Sequence, residues 1–66
     1  MKRSIEEMSK EVIVIECKRR YKQLKFRNGH SEMYSFKRAL EEFPTVTEEQ
    51  LKLCIKDDWA NLRELL

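Results

Sequence analysis

The most chemically suggestive residues in this sequence are basic side chains clustered near its middle. Six lysines and arginines fall within residues 18–27, where Tyr21 and Phe26 are interleaved with them. If the segment is helical, Lys18, Lys22 and Lys25 are spaced i, i+4, i+7 and share one face. A row of cations opposite a buried face suits contacts with the phosphate backbone of a nucleic acid. The residues that we predict to contact phosphates are Lys18, Arg19, Lys22, Lys25 and Arg27.

The net charge is distributed unevenly along the chain. Residues 18–38 carry a net charge of +7, whereas residues 1–17 and 39–66 carry −1 and −4. A segment this basic attracts phosphates, and five contacts predict a log–log salt slope of about −4 to −5 on duplex DNA. Arg20 lies nearer the predicted buried face, so we assign it to the fold. The alternative is that the cations form a solvated face or pair with the acidic C-terminal segment.

Residues that could form a catalytic or metal site are few and far apart. The single glycine excludes a glycine-rich phosphate loop. Cys17, His30 and Cys54 are distant in sequence and lack the short spacing of metal ligands. A cysteine–histidine nucleophile pair needs a site that positions both groups, and a chain of this length has little material to build one. We predict a non-enzymatic protein with no cofactor and no metal.

The length of 66 residues, of which 41% are hydrophobic, predicts one small domain over residues 1–66. A chain this short buries only about 60% of the surface that its unfolded form exposes, so a partner chain is a common source of further stability. No stretch has the apolar length of a membrane span, and residues 1–11 lack the apolar run of a signal peptide. We therefore predict a cytoplasmic protein with no membrane partner.

The first predicted helix spans about residues 5–26. Ser4 and Glu7 have the spacing of a capping box, and Asn28 with Gly29 favours the left-handed backbone that ends a helix. Apolar residues fall on two faces of this helix, one with Ile13, Cys17, Tyr21 and Leu24, the other with Ile5, Met8, Val12 and Ile15. Because a small core covers only one face, the second face predicts a homodimer interface.

Two further helices are predicted over about residues 32–42 and 48–65. Ser31 can cap the first of them, and Thr47 with Gln50 forms a capping box for the second. Both segments repeat their apolar residues at helical spacing. Three capped amphipathic helices with short connections predict an all-α three-helix bundle.

One acidic residue, Asp58, breaks the apolar pattern of the last predicted helix. It falls at the centre of the apolar arc, where a buried carboxylate is costly unless it is paired. It either lies at a gap near solvent, or pairs with a lysine such as Lys37, or marks a polar contact at an interface. The residues that we predict at an oligomer or partner interface are Ile5, Met8, Val12, Ile15 and Asp58.

In an alternative fold residues 12–15 form a strand, because four consecutive β-branched residues favour that structure. Downstream, the sequence resembles the second helix of ribbon-helix-helix repressors, in which similar residue types recur at similar offsets. The matching residues are Gly29, Ser31, Phe36, Lys37, Ala39, Leu40 and Phe43. The resemblance implies an N-terminal strand followed by helices, in an obligate dimer that reads the DNA groove with its strand.

Two classes of function follow from these features. The first is a small nucleic-acid-associated regulator that binds the phosphate backbone through its basic first helix. The second is a protein-interaction module, such as a phage- or plasmid-type inhibitor, that docks an apolar helix face on a larger partner. Binding to phosphates weakens steeply with salt, whereas binding through apolar surface does not, so salt dependence separates the two.

Overall fold

The computed structural model describes residues 5–66, with side chains from residue 9 onward. These residues form only helices: α1 (Ile5–Lys22), α2 (Glu32–Glu42), α3 (Glu48–Ile55) and α4 (Trp59–Leu65). Helix α1 continues without a break into a π-helical turn, Gln23–Arg27. The predicted all-α class is confirmed, with a different number of helices. The capping box predicted at Ser4 and Glu7 lies outside the described side chains.

Local side-chain caps set the helix boundaries as the sequence predicts. The hydroxyl of Ser31 accepts a hydrogen bond from the backbone N–H of Tyr34 at the start of α2, 3.2 Å away. At the start of α3, Thr47 and Gln50 bond each other's backbone N–H reciprocally, both at 3.1 Å. Gly29 adopts φ +72° after the π-helical turn, which is the left-handed backbone that ends a helix.

The single helix predicted over residues 48–65 is wrong, because the chain turns between α3 and α4. Asp57 adopts φ +60°, a conformation that aspartate tolerates better than most residues. Asp58 then caps α4, accepting hydrogen bonds from the backbone N–H of Asn61 at 3.4 Å and from its side-chain amide at 2.8 Å. The apolar arc is therefore interrupted at Asp58, and capping explains the acidic residue there.

The alternative with an N-terminal strand is also wrong for the described part of the chain. Residues 12–15 lie within α1, and no strand occurs between residues 5 and 66. Residues 12–15 are helical because the packing of Val14 and Ile15 on the core outweighs a weak intrinsic preference. Without a strand, the arrangement that the ribbon-helix-helix resemblance implies is not formed here.

Helix α1 is the central element, because α2 and α3 both pack against it and α4 packs against α3. On α1 the buried face begins at Val14 rather than at Ile13, whose side chain is partly exposed. All elements contribute to one core, whose apolar members are Val14, Cys17, Tyr21, Leu24, Ala39, Val46, Leu51, Cys54 and Leu62. The packing of this core determines which face of α1 is exposed, and the basic residues of α1 lie outside the buried face.

Candidate nucleic-acid interface

A shallow groove runs along the C-terminal half of α1 and the π-helical turn, beside the end of α2. We call it the basic groove. Its lining residues are Glu16, Arg19, Arg20, Lys22, Gln23, Phe26, Arg27, Glu42 and Phe43. Four of these side chains are basic and two are acidic, so the groove carries a net positive charge and can accept an anion. It contains three of the five predicted phosphate ligands, namely Arg19, Lys22 and Arg27.

Arg20 forms the wall of the groove by joining α1 to α2. Its Nε lies 3.0 and 3.1 Å from the two carboxylate oxygens of Glu42, and its Nη1 donates to Gln23 Oε1 at 2.9 Å. Arg38 also approaches the Glu42 carboxylate, at 3.3 Å. Glu42 is thereby neutralised from both sides, which agrees with the assignment of Arg20 to the fold.

Lys18 lies on a different side of α1, where it contacts the junction between α3 and α4. Its Nζ is 3.1 Å from Oδ1 of Asp57, and its side chain is only 16% exposed. A phosphate would have to displace this ion pair before it could reach Lys18. The predicted stripe of Lys18, Lys22 and Lys25 therefore does not form one continuous outward face.

Lys25 is held between two aromatic rings. Its Nζ lies 3.5 Å from the hydroxyl of Tyr21, 5.8 Å from the centre of the Tyr21 ring and 5.3 Å from the centre of the Phe26 ring. Such cation–π contacts are favourable within about 6 Å of a ring centre. Lys25 contributes positive charge close to the basic groove, but it does not line it.

The remaining cations of the groove are accessible. Lys22 and Arg27 are exposed, and neither forms an ion pair within the described residues. Arg19 pairs with Glu16 at 3.3 Å, and both of these side chains are exposed to water. Exposed pairs of this kind contribute little and exchange readily, so Arg19 remains available to a competing phosphate.

Of the predicted interface residues whose side chains the structure describes, Val12, Ile15 and Asp58 do not share one exposed surface. Val12 is 53% exposed, whereas Ile15 is partly buried and packs against the core. The side chains of Ile5 and Met8 lie outside the described part of the chain. Asp58 caps the N-terminus of α4 and therefore has a role within the fold. Among the described side chains of α1, Val12 and Ile13 are the large apolar residues exposed to solvent.

One residue of the groove, Phe26, was not among the predicted site residues. It is 72% exposed, although large aromatic side chains usually bury much of their surface. Its interleaving with basic residues was the available sequence signal. The signal was incomplete because interleaving alone does not show that a ring stays exposed; in the folded chain Leu24 enters the core, as the α-helical projection predicts, and Phe26 remains outside it.

The two thiols lie in the core rather than in a site. Burial, with smaller contributions from Cys54 and Glu42, raises the pKa of the Cys17 thiol from its ordinary 9.0 to about 11. Burial likewise raises the pKa of Cys54. A nucleophilic cysteine requires the opposite shift, so both thiols stay protonated at neutral pH.

The raised pKa of Cys17 predicts an alkaline loss of stability. Between pH 9 and about 11 the unfolded chain releases the thiol proton and the folded chain retains it, so the free energy of unfolding falls with rising pH. Two pKa units correspond to about 2–3 kcal/mol. Urea unfolding at a series of alkaline pH values measures this loss. In Cys17→Ala the decline should be shallower over the same interval, and equal slopes for the two proteins would contradict the prediction.

Three further findings bear on function. The described side chains contain no group of three or more His, Cys, Asp or Glu placed to hold a metal ion. Between residues 5 and 66, no helix combines the length and the apolar character that crossing a membrane requires. None of the known protein-family models, curated proteins or solved structures matches this chain.

Proposed function

We propose that this protein is a small, non-enzymatic, nucleic-acid-associated regulator that binds the phosphate backbone in the basic groove. The observation that carries this proposal is the pair of exposed cations, Lys22 and Arg27, that line the groove together with Arg19. Lys22 and Arg27 are not needed to neutralise Glu42, because Arg20 and Arg38 already pair with its carboxylate. Phosphate oxygens are the natural partners of such groups.

The structure changes the expected number of phosphate contacts. Lys18 is engaged with Asp57 and Lys25 with Tyr21, which leaves Arg19, Lys22 and Arg27. Three contacts give a log–log salt slope of about −2 to −3 on duplex DNA, at roughly 0.9 per phosphate. This value replaces the slope of about −4 to −5 that five contacts would produce. Contacts with phosphates carry no sequence information, so discrimination between sequences should be weak.

Fluorescence anisotropy with a labelled duplex and a labelled single strand of unrelated sequence tests the proposal. We expect dissociation constants of about 10⁻⁴ to 10⁻⁶ M, the range of non-specific binding, and an affinity that falls along the predicted slope as salt is raised. Failure to bind either oligonucleotide at low salt would refute the proposal. A slope near zero would refute the phosphate mechanism even if binding occurred.

The second candidate, a protein-interaction module, rests on the exposed Val12 and the partly exposed Ile13 of α1. In this function the apolar face docks on a larger partner protein. A pulldown from lysate at low and high salt, with and without nuclease treatment, tests it, because apolar association persists when charges are screened. A stoichiometric protein partner retained at high salt, together with no oligonucleotide binding, would favour this function over the first.

A further inference from the structure

We propose that the basic groove is selective for single-stranded nucleic acid, with Phe26 as the surface on which an unpaired base stacks. This inference rests on the proposed function and specifies its ligand. The observation behind it is an aromatic ring that is 72% exposed within a groove lined by Lys22 and Arg27. Proteins that bind single strands without sequence preference combine these two elements, a cationic path for the backbone and an aromatic surface for the bases.

Phe26 does not contribute to the protein's own core. Leu24, two residues earlier in the π-helical turn, supplies the buried side chain at this level. Tyr21 packs edge-on against Phe36 of α2, with ring centres 6.3 Å apart, and completes the contact between α1 and α2 there. The exposed ring of Phe26 therefore has apolar surface to bury against a ligand, at no cost to the packing of the core.

The ring of Phe26 is also restrained before any ligand arrives. Lys25 places its Nζ over the ring, 5.3 Å from the centre, and the same Nζ is hydrogen-bonded to Tyr21. Because Tyr21 is buried, Lys25 is anchored to the body of the protein. The cation contacts the ring from one side, and most of the surface of Phe26 stays open to a base.

Geometry favours a single strand over a duplex. Lys22 precedes Phe26 in sequence and Arg27 follows it, and all three side chains line the groove. Phe26 lies on the same groove as both of these cations, so a base of the bound strand can reach the ring only if it is unpaired. In a duplex that base is stacked and paired inside the helix, and unstacking it costs free energy.

The test compares wild type, Phe26→Ala and a matched control in anisotropy titrations with an oligothymidylate and with a duplex of equal length. Met33→Ala is the control, because Met33 is a large exposed apolar residue that lines a separate surface groove with Tyr21 and Phe36. We expect Phe26→Ala to weaken single-strand binding by about 5- to 150-fold and duplex binding by less than about twofold. Met33→Ala should change neither affinity, and circular dichroism checks that each variant is folded.

A second variant supplies a spectroscopic readout of stacking. Phe26→Trp keeps an aromatic ring, so single-strand affinity should be retained. Because Trp59 also fluoresces, quenching is measured as the difference between Phe26→Trp and wild type, and this difference should appear with oligothymidylate and not with duplex. Equal losses on strand and duplex in Phe26→Ala, or no loss on either, would overturn the stacking inference while the groove's phosphate binding stands. No binding of either oligonucleotide by wild type would instead remove the proposed function, and the inference with it.

Discussion

Reversing the charges of Lys22 and Arg27 together should lower the affinity for a generic oligonucleotide at low salt by at least about 30-fold. Two unit charges 4 Å apart in water attract by about 1 kcal/mol, so that reversal at two sites changes the interaction by about 4 kcal/mol before screening. About half of that change remaining after screening gives the stated factor. Both side chains are exposed and unpaired within the described residues, so Lys22→Glu/Arg27→Glu should fold normally.

A matched control separates this local effect from the effect of net charge. Lys52 and Lys56 are exposed residues that line a different groove, beside Met33 and Ile55. Lys52→Glu/Lys56→Glu changes the formal net charge from +2 to −2, the same change that the groove variant makes. We expect the control to bind within about threefold of wild type, since the difference is then only long-range repulsion. Equal losses in the two variants would show that binding is diffuse and that the basic groove is not its site.

Replacing Leu51 by alanine should destabilise the protein more than any substitution considered above. Leu51 is 0% exposed and lies in the core on α3, and truncating such a leucine costs about 2–5 kcal/mol through lost burial and the cavity left behind. A domain of this size has about 3–10 kcal/mol of total stability. Leu51→Ala should therefore lower Tm by at least about 10 °C or leave the chain partly unfolded at room temperature.

Thermal unfolding followed by circular dichroism measures this effect. Leu65→Ala is the control, because Leu65 is 40% exposed near the end of α4 and its truncation should cost less than about 1 kcal/mol. A Tm for Leu51→Ala close to that of wild type would contradict the packing described here. If the proposed function holds, saturating oligonucleotide should raise the Tm of wild type and of Leu51→Ala, because a ligand that binds the folded state stabilises that state by mass action.

The helices could be predicted from the sequence because their signals are local. The caps at Ser31 and at Thr47 with Gln50 each involve residues three apart, and both occur as predicted. Asn28 and Gly29 end the first helical segment for the same reason, since a left-handed backbone next to the last turn is a property of one or two residues. The bounds of α2, Glu32–Glu42, follow from such signals alone.

The sequence signals for a break at Asp57 and Asp58 were also local, but they conflicted with the apolar pattern of the segment. Continuous apolar periodicity favoured one long helix, whereas aspartate is a strong N-cap and tolerates positive φ. The conflict is resolved by packing. Leu51, Cys54 and Leu62 are all buried, and a turn after α3 brings α4 back to the same core instead of leading it away. Which local signal prevailed therefore depended on contacts between elements.

The assignments of Lys18 and Arg20 depended on distant contacts. A helical projection treats Lys18 and Lys22 as equivalent, yet Lys18 meets Asp57, which is 39 residues away in sequence. Arg20 meets Glu42 across 22 residues. Sequence patterns report on neighbours three or four residues apart. A cation forms an ion pair or stays available to a ligand according to the residue that folding places next to it.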